Sequence, residues 1–123
     1  MENYEEDFVT EESVEFEIDG KLFKYKPTTA DDELTWADEY IEIVDGKPKQ
    51  NLKKITQCKI RNLIEVPYER ALIFKIIDVD KDWKDLSNEE KLKFVGKLKP
   101  TTFDKIITKI NGIDSPSKDV KKN

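Results

Sequence analysis

The sequence predicts an α+β protein in which an N-terminal β-hairpin packs on a mostly helical domain of about five helices. Asp19-Gly20 lies between two runs of alternating apolar residues, which is the pattern of a two-residue hairpin turn. Later segments have apolar residues at helical spacing, preceded by residues that can begin a helix. At 123 residues the chain has room for one core. We expect a single domain over residues 13–114, between a flexible acidic arm at 1–12 and a flexible tail at 115–123.

The clearest local signal is the hairpin over residues 13–26. A type I′ turn suits Asp19-Gly20 because glycine adopts a positive φ without strain. This turn places Glu15 across from Lys24, an attractive pair on one face. It also places five apolar side chains together on the other face: Val14, Phe16, Ile18, Phe23 and Tyr25. Since a lone hairpin is marginal in water, we expect the apolar face to pack on helices or to extend into a larger sheet.

The first helix is expected over residues 30–44, with Thr28 or Thr29 as its N-cap. The turn-forming residues 45–48 are expected to end it. Apolar residues recur at helical spacing along two neighbouring stripes, which makes roughly half of the circumference apolar. One stripe contains Leu34, Ala37, Ile41 and Val44, and the other contains Trp36, Tyr40 and Ile43.

Four more helices are expected in the rest of the chain. The second is predicted from the cap Asn51 to about Ile64, and the third begins at Pro67, where proline is tolerated in the first turn. The fourth begins with a capping box, Ser87 to Glu90, and ends near Lys97. The fifth begins at Pro100, with Gly112 as its C-terminal stop and with Phe103, Ile106, Ile107 and Ile110 at core spacing.

Several residue types that catalysis or metal binding requires are missing. The chain has no histidine and one cysteine, Cys58, so it can form neither an internal disulfide nor a Cys/His zinc site. Serine and cysteine nucleophiles usually need a histidine base, and no glycine-rich phosphate loop is present. The segment from Asp78 to Glu89 superficially matches a calcium loop, but Trp83 stands where that loop needs glycine, so we interpret it as a charged loop. We predict a protein that is not an enzyme and binds no cofactor.

The sequence also bears on where the protein works. Its N-terminal residues are acidic and lack the basic flank and apolar run of a signal peptide. No apolar stretch approaches the roughly 20 residues that cross a bilayer. We therefore expect a cytoplasmic protein with no membrane partner.

Charge is segregated along the chain. Residues 1–45 contain sixteen acidic and three basic residues, a net charge of −13, whereas residues 46–64 contain six basic residues and no acidic one. Such asymmetry can steer a charged partner, or the two patches can simply face each other or the solvent. The basic segment could approach nucleic acid, but it lacks interleaved aromatic residues and the chain is acidic overall, with a pI near 4.9. We do not expect a nucleic-acid partner.

Four side chains are candidate protein-binding residues: Trp36, Tyr40, Ile43 and Trp83. Tryptophan and tyrosine are enriched among the residues that dominate interface energies. The alternative for Trp36 and Tyr40 is that they complete the core against the hairpin face. Trp83 lies in an otherwise charged loop and is expected to be the most exposed aromatic, although it could fold back over a helix end. Nothing marks Cys58 as a reactive thiol, so we assign it to packing.

Three segments resemble the tail assembly chaperones of long-tailed bacteriophages and prophages: VEFEIDGK at 14–21, KPTTADDE at 26–33 and LKPTTFDKI at 98–106. The likeness spans roughly residues 13–114. It implies a small, mostly helical cytoplasmic protein that is made during virion assembly and absent from the finished tail. Such proteins are thought to coat the tape-measure protein, keep its hydrophobic helices soluble and help recruit tail-tube subunits. The resemblance assigns no catalytic residue, and a homo-oligomer stays open.

Two other functions are alternatives to the chaperone. One is a structural subunit of a phage tail or contractile particle, in which the N-terminal hairpin would join a sheet that spans subunits. The other is an acidic inhibitor that mimics DNA, suggested by the net charge of −13 over residues 1–45.

If the protein is a chaperone, we expect it to bind the tape-measure protein through apolar grooves with acidic rims.

Overall fold

A computed structural model describes residues 4–115. In that range the chain forms β1 (Val14–Ile18), β2 (Lys21–Tyr25), α1 (Ala30–Tyr40), β3 (Ile41–Val44), β4 (Lys47–Gln50), α2 (Leu52–Ile60), β5 (Leu63–Glu65), α3 (Arg70–Ile77), α4 (Asn88–Val95) and α5 (Pro100–Asp114). The strands form a three-stranded sheet of order β1-β2-β5 and a separate β3–β4 hairpin. The α+β class is therefore confirmed.

The predicted N-terminal hairpin is present in the predicted register. Val14 pairs with Tyr25, and Phe16 pairs with Phe23, whose ring stacks on it at a centroid distance of 5.2 Å. Both turn residues have positive φ, 52° at Asp19 and 81° at Gly20, as a type I′ turn requires. On the second edge of β2, β5 adds an antiparallel strand. The hairpin has thus become part of a larger sheet.

The main core lies between the three-stranded sheet and the helices α3, α4 and α5. Phe16, Ile18, Phe23 and Tyr25 supply it from the hairpin, which confirms that the apolar face packs on helices. The remaining buried members come from the rest of the chain: Ile60, Leu63, Ile73, Ile77, Trp83, Leu86, Phe94, Val95, Ile106 and Ile110.

The prediction of a helix over residues 30–44 is wrong in its last turn. α1 ends at Tyr40, and residues 41–50 form the β3–β4 hairpin, with a second type I′ turn at Asp45 (φ 55°) and Gly46 (φ 78°). β-Branched residues in β3 favour an extended backbone, and Asp45-Gly46 is the same turn signal as Asp19-Gly20 of the first hairpin.

Three other predicted boundaries also differ. α2 ends at Ile60 rather than near Ile64, because the next residues join the sheet: the Lys26 N–H donates to the Asn62 carbonyl at 2.8 Å. α3 begins at Arg70 instead of Pro67. Gly112 does not stop α5, which continues to Asp114.

The predicted helix caps are confirmed. Thr29 accepts from the Asp32 N–H at 3.1 Å, and the Asp32 carboxylate accepts from the Thr29 N–H, so α1 begins with a capping box. Ser87 forms the equivalent box at the start of α4. Asn51 caps α2 by accepting from the Lys54 N–H at 3.1 Å.

At the N-terminus, residues 4–12 are exposed and include a 3-10 turn at Tyr4–Asp7. These residues are the described part of the predicted acidic arm. The flexibility of the arm and the limits of the domain stay predictions. Residues 116–123 of the predicted tail lie outside the described residues.

Candidate protein-binding surfaces

Trp36 and Tyr40 are buried in a small apolar cluster of their own. They pack with Cys58 of α2, and half-buried Ala37 and Ile55 complete this cluster. Their burial agrees with the alternative that they complete a core, but they pack against α2 and not against the β1–β2 hairpin. Burial also raises the pKa of the Cys58 thiol, which agrees with a packing role. The role of Trp36 and Tyr40 in binding stays a prediction.

Trp83 is buried rather than exposed, which corrects the expectation drawn from its charged loop. Only 5% of the residue is exposed, and its indole N–H donates to the Leu63 carbonyl at 2.8 Å. The ring also packs edge-on against Phe94, and the Lys91 ammonium lies 5.3 Å above it. Trp83 therefore folds back to cover the free edge of β5. The neighbouring acidic loop is part of no metal-binding group within residues 4–115.

Part of the segregated charge is paired inside the fold. Arg61 of the basic segment donates to both carboxylate oxygens of Glu39 at 2.6 and 2.8 Å, and this bond lowers the pKa of Glu39. Lys54 lies 3.5 Å from Glu42. The acidic and basic patches thus face each other in part at α1 and α2. This agrees with the alternative that the patches pair with each other instead of steering a charged partner. Among the described residues, Lys47, Lys49 and Lys53 form no ion pair.

The β3–β4 hairpin stands apart from the buried core, since none of its residues belongs to either buried cluster. Ile43, a predicted binding residue, is 71% exposed, and Ile41 and Val44 are exposed as well. Ile41 and Ile43 share one face of the hairpin because alternate residues of a strand point to the same side. Tyr40 immediately precedes β3, so two of the four predicted binding residues, Tyr40 and Ile43, lie in or next to this hairpin.

A second apolar surface is on α3, which sequence reasoning missed. Ile73 and Ile77 point into the core, but Leu72, Phe74 and Ile76 are 39–50% exposed. A groove of about 100 Å³ runs beside this helix, here named the α3–α4 groove, and it is lined by Tyr68, Leu72, Ile76, Phe94, Lys97 and Leu98.

The sequence contained a signal for this surface. Six of the eight residues in RALIFKII are apolar, so they surround the helix and leave no broad polar side. A helix that is apolar all round is normally buried on all sides. This helix is buried at Ile73 and Ile77 only, so part of its apolar surface stays exposed.

Comparison with protein-family models, with curated proteins and with solved structures gave no significant match. Within residues 4–115, no helix has the length and apolar character needed to cross a membrane.

Proposed function

We propose that the protein is a phage tail assembly chaperone that binds apolar helices of the tape-measure protein and keeps them soluble. In this proposal it also helps to recruit tail-tube subunits and works in the host cytoplasm without catalysing a reaction. The observation that carries the proposal is the exposed apolar side of α3. A chaperone for amphipathic helices needs such a surface, because helix-in-groove binding inserts apolar side chains spaced three and four residues apart.

The size of the α3–α4 groove agrees with reversible binding. Leu72 and Ile76 are one helical turn apart on the same side of α3, and each is 39% exposed. Complete burial of what remains exposed contributes about 1 kcal/mol per side chain. Phe74 is 50% exposed but lies on the opposite flank of the helix, two residues from each of them. The groove therefore gives a modest driving force, as suits a protein that must later release its partner.

The charge at the groove differs from the sequence-based expectation. The charged residue that lines it is Lys97, so an acidic rim was the wrong prediction for this groove. A lysine beside an apolar groove favours a helix that carries acidic residues next to its apolar stripe. We therefore expect tape-measure segments of that kind to bind best.

Co-expression tests the proposal. The chain is produced with a tape-measure fragment from the same genome, and the soluble fraction of that fragment is measured. We expect the wild-type chain to raise this fraction and the double variant Leu72→Gln, Ile76→Gln to lose most of the effect. The matched control is Leu34→Gln, Leu52→Gln, which changes two leucines that are 76% and 73% exposed elsewhere. No gain with the wild-type chain, or equal gains with both variants, contradicts the proposal.

A structural subunit of a tail or contractile particle is the second proposal, and the exposed β3–β4 hairpin favours it. The N-terminal hairpin is less suited to a sheet that spans subunits. Its outer strand carries Glu15 and Glu17, and charged side chains protect sheet edges from pairing. Mass spectrometry of purified particles separates the two proposals, because a structural subunit is retained and a chaperone is absent.

The third alternative, an inhibitor that mimics DNA, is less favoured by the structure. Glu39 and Glu42 pair within the fold, which leaves fewer free carboxylates to imitate phosphates.

A further inference from the structure

The two edges of the β3–β4 hairpin are chemically different. In a hairpin with a two-residue turn, the residues that flank the turn exchange hydrogen bonds, and such pairs alternate along the ladder. Val44 and Lys47 flank this turn, so the next pair, Ile43 and Pro48, directs its backbone groups outward. The Asn51 N–H donates to the Tyr40 carbonyl at 2.7 Å, which agrees with this alternation.

The outer edge of β4 is protected against pairing. Pro48 lies where the strand would present an outward N–H, and proline has none. Lys47 and Lys49 flank it, and neither forms an ion pair within the part of the chain that the structure describes. Proline and lysine are the residues with which natural proteins block edge strands.

The outer edge of β3 has no such protection. The N–H and carbonyl of Ile43 point outward, and within residues 4–115 no other element bonds to them. Ile41 and Ile43 are exposed on the same face, and no lysine or proline lies in this strand. Its one charged residue, Glu42, is held within the fold by Asn51 and Lys54. An exposed apolar edge of this kind is a template for another strand.

We propose that the β3 edge pairs with β3 of a second copy of this chain, antiparallel and centred on Ile43. In this register, Ile43 lies opposite the same residue of the second copy, and Glu42 lies opposite Val44. A register centred on Glu42 would pair Ile43 with Ile41, whose N–H already donates to the Ala37 carbonyl. It also sets two carboxylates opposite each other on one face, which is destabilising. Charge therefore selects the register centred on Ile43.

Closure of the sheet favours a second copy over a different partner. The paired hairpins form a four-stranded sheet of order β4-β3-β3-β4, and both outer edges are then β4 strands blocked by Pro48. The assembly stops at two chains instead of growing into a fibre. Four strands are also more stable than a lone two-stranded hairpin, which is marginal in water. This interface does not involve the α3–α4 groove, so the two proposals can fail independently.

Sedimentation of the full chain over a range of concentrations tests the proposal. We expect a concentration-dependent dimer, and we expect Ile43→Pro to weaken it at least tenfold, because proline removes the outward N–H and leaves the bonds within the hairpin intact. Gln50→Pro is the matched control, since it removes an outward N–H from the β4 edge, and it should dimerise as the wild type does. A monomeric wild-type chain overturns the proposal, as does a dimer that both variants form equally well.

Disulfide cross-linking provides a second test of the β3–β3 pairing, which does not depend on whether the Ile43→Pro variant folds. In the proposed register the two copies of residue 43 form a hydrogen-bonded pair with Cα atoms about 5.5 Å apart, within the range of a disulfide. Ile43→Cys should therefore form a disulfide-linked dimer under mild oxidation, whereas Leu34→Cys should not. Cys58 is buried and does not compete. Equal cross-linking of both variants, or none at residue 43, contradicts the proposed pairing.

Discussion

The carboxylate of Asp114 ties the last turn of α5 to the rest of the fold. It accepts hydrogen bonds from the Thr28 backbone N–H at 2.8 Å, the Thr28 hydroxyl at 2.7 Å and the Tyr25 hydroxyl at 2.8 Å. The Lys59 ammonium lies 3.0 Å away. Burial is the main cause that raises the pKa of Tyr25 above its ordinary value. A negative charge at a helix C-terminus is unfavourable by itself, so these donors are what stabilise it.

We predict that Asp114→Asn lowers the free energy of unfolding by about 3 kcal/mol, because an amide group then faces donors that need an acceptor. The measurement is the midpoint of urea unfolding, with the slope unchanged. Asp104→Asn is the control, since it makes the same chemical change at an exposed position of the same helix. A similar midpoint for both variants would show that the cluster around Asp114 contributes little.

Asp32 should make stability depend on pH. Burial by itself raises the pKa of this carboxyl, but hydrogen bonds from Lys26, the Thr29 backbone and Asn62 outweigh it, and the pKa lies below its ordinary value of 3.8. A carboxyl with a lowered pKa in the folded state stabilises the protein above its unfolded pKa and loses this contribution as the pH falls through the folded pKa.

The expected result is a gap in stability between the wild-type chain and Asp32→Asn that is full at pH 6 and narrows as the pH falls below about 4. Urea unfolding at a series of pH values measures this gap. A gap that stays constant down to pH 2 contradicts the assigned hydrogen bonds.

At the scale of elements, the sequence predicts the β1–β2 hairpin correctly but does not predict the β3–β4 hairpin. In β1 and β2 an alternating apolar pattern and a turn signal agree over ten residues, so register and facing could both be predicted. The apolar residues Ile41, Ile43 and Val44 fit a continuing helix as well as a strand, and the Asp-Gly pair after them fits a helix end as well as a hairpin turn. Strand β5 is three residues long and forms through its pairing with β2, which no local pattern reveals.

Two glycine substitutions test the corrected element boundaries, because they should change the free energy of unfolding in opposite directions. Gly46 has a positive φ of 78° in the β3–β4 turn, so Gly46→Ala should destabilise the protein by about 1 kcal/mol. Gly112 lies inside α5 with open space around it, so Gly112→Ala should stabilise the protein by about 0.5–1 kcal/mol. Thermal unfolding of both variants measures the effects. Destabilisation by Gly112→Ala would indicate that this glycine ends the helix after all.

At the scale of the whole molecule, the chain has two separate buried clusters and two separate apolar surfaces. The main core supports the α3–α4 groove, and the small cluster of Trp36, Tyr40 and Cys58 lies beside the β3–β4 hairpin. The sequence indicated a protein-binding role, but composition alone does not separate aromatic residues that complete a core from those that remain exposed. Trp83 shows the difficulty: its neighbours are charged, yet tertiary packing buries it.

Amide hydrogen exchange of the full chain, alone and bound to a tape-measure fragment, tests the central claim most directly. We predict slower exchange on binding in residues 70–77 and 92–98, which contain the residues of α3 and α4 that line the groove. Residues 14–25 should exchange equally in both samples. Protection that avoids α3 and α4, or no change in exchange at saturating fragment, would contradict the assignment of this surface to tape-measure binding.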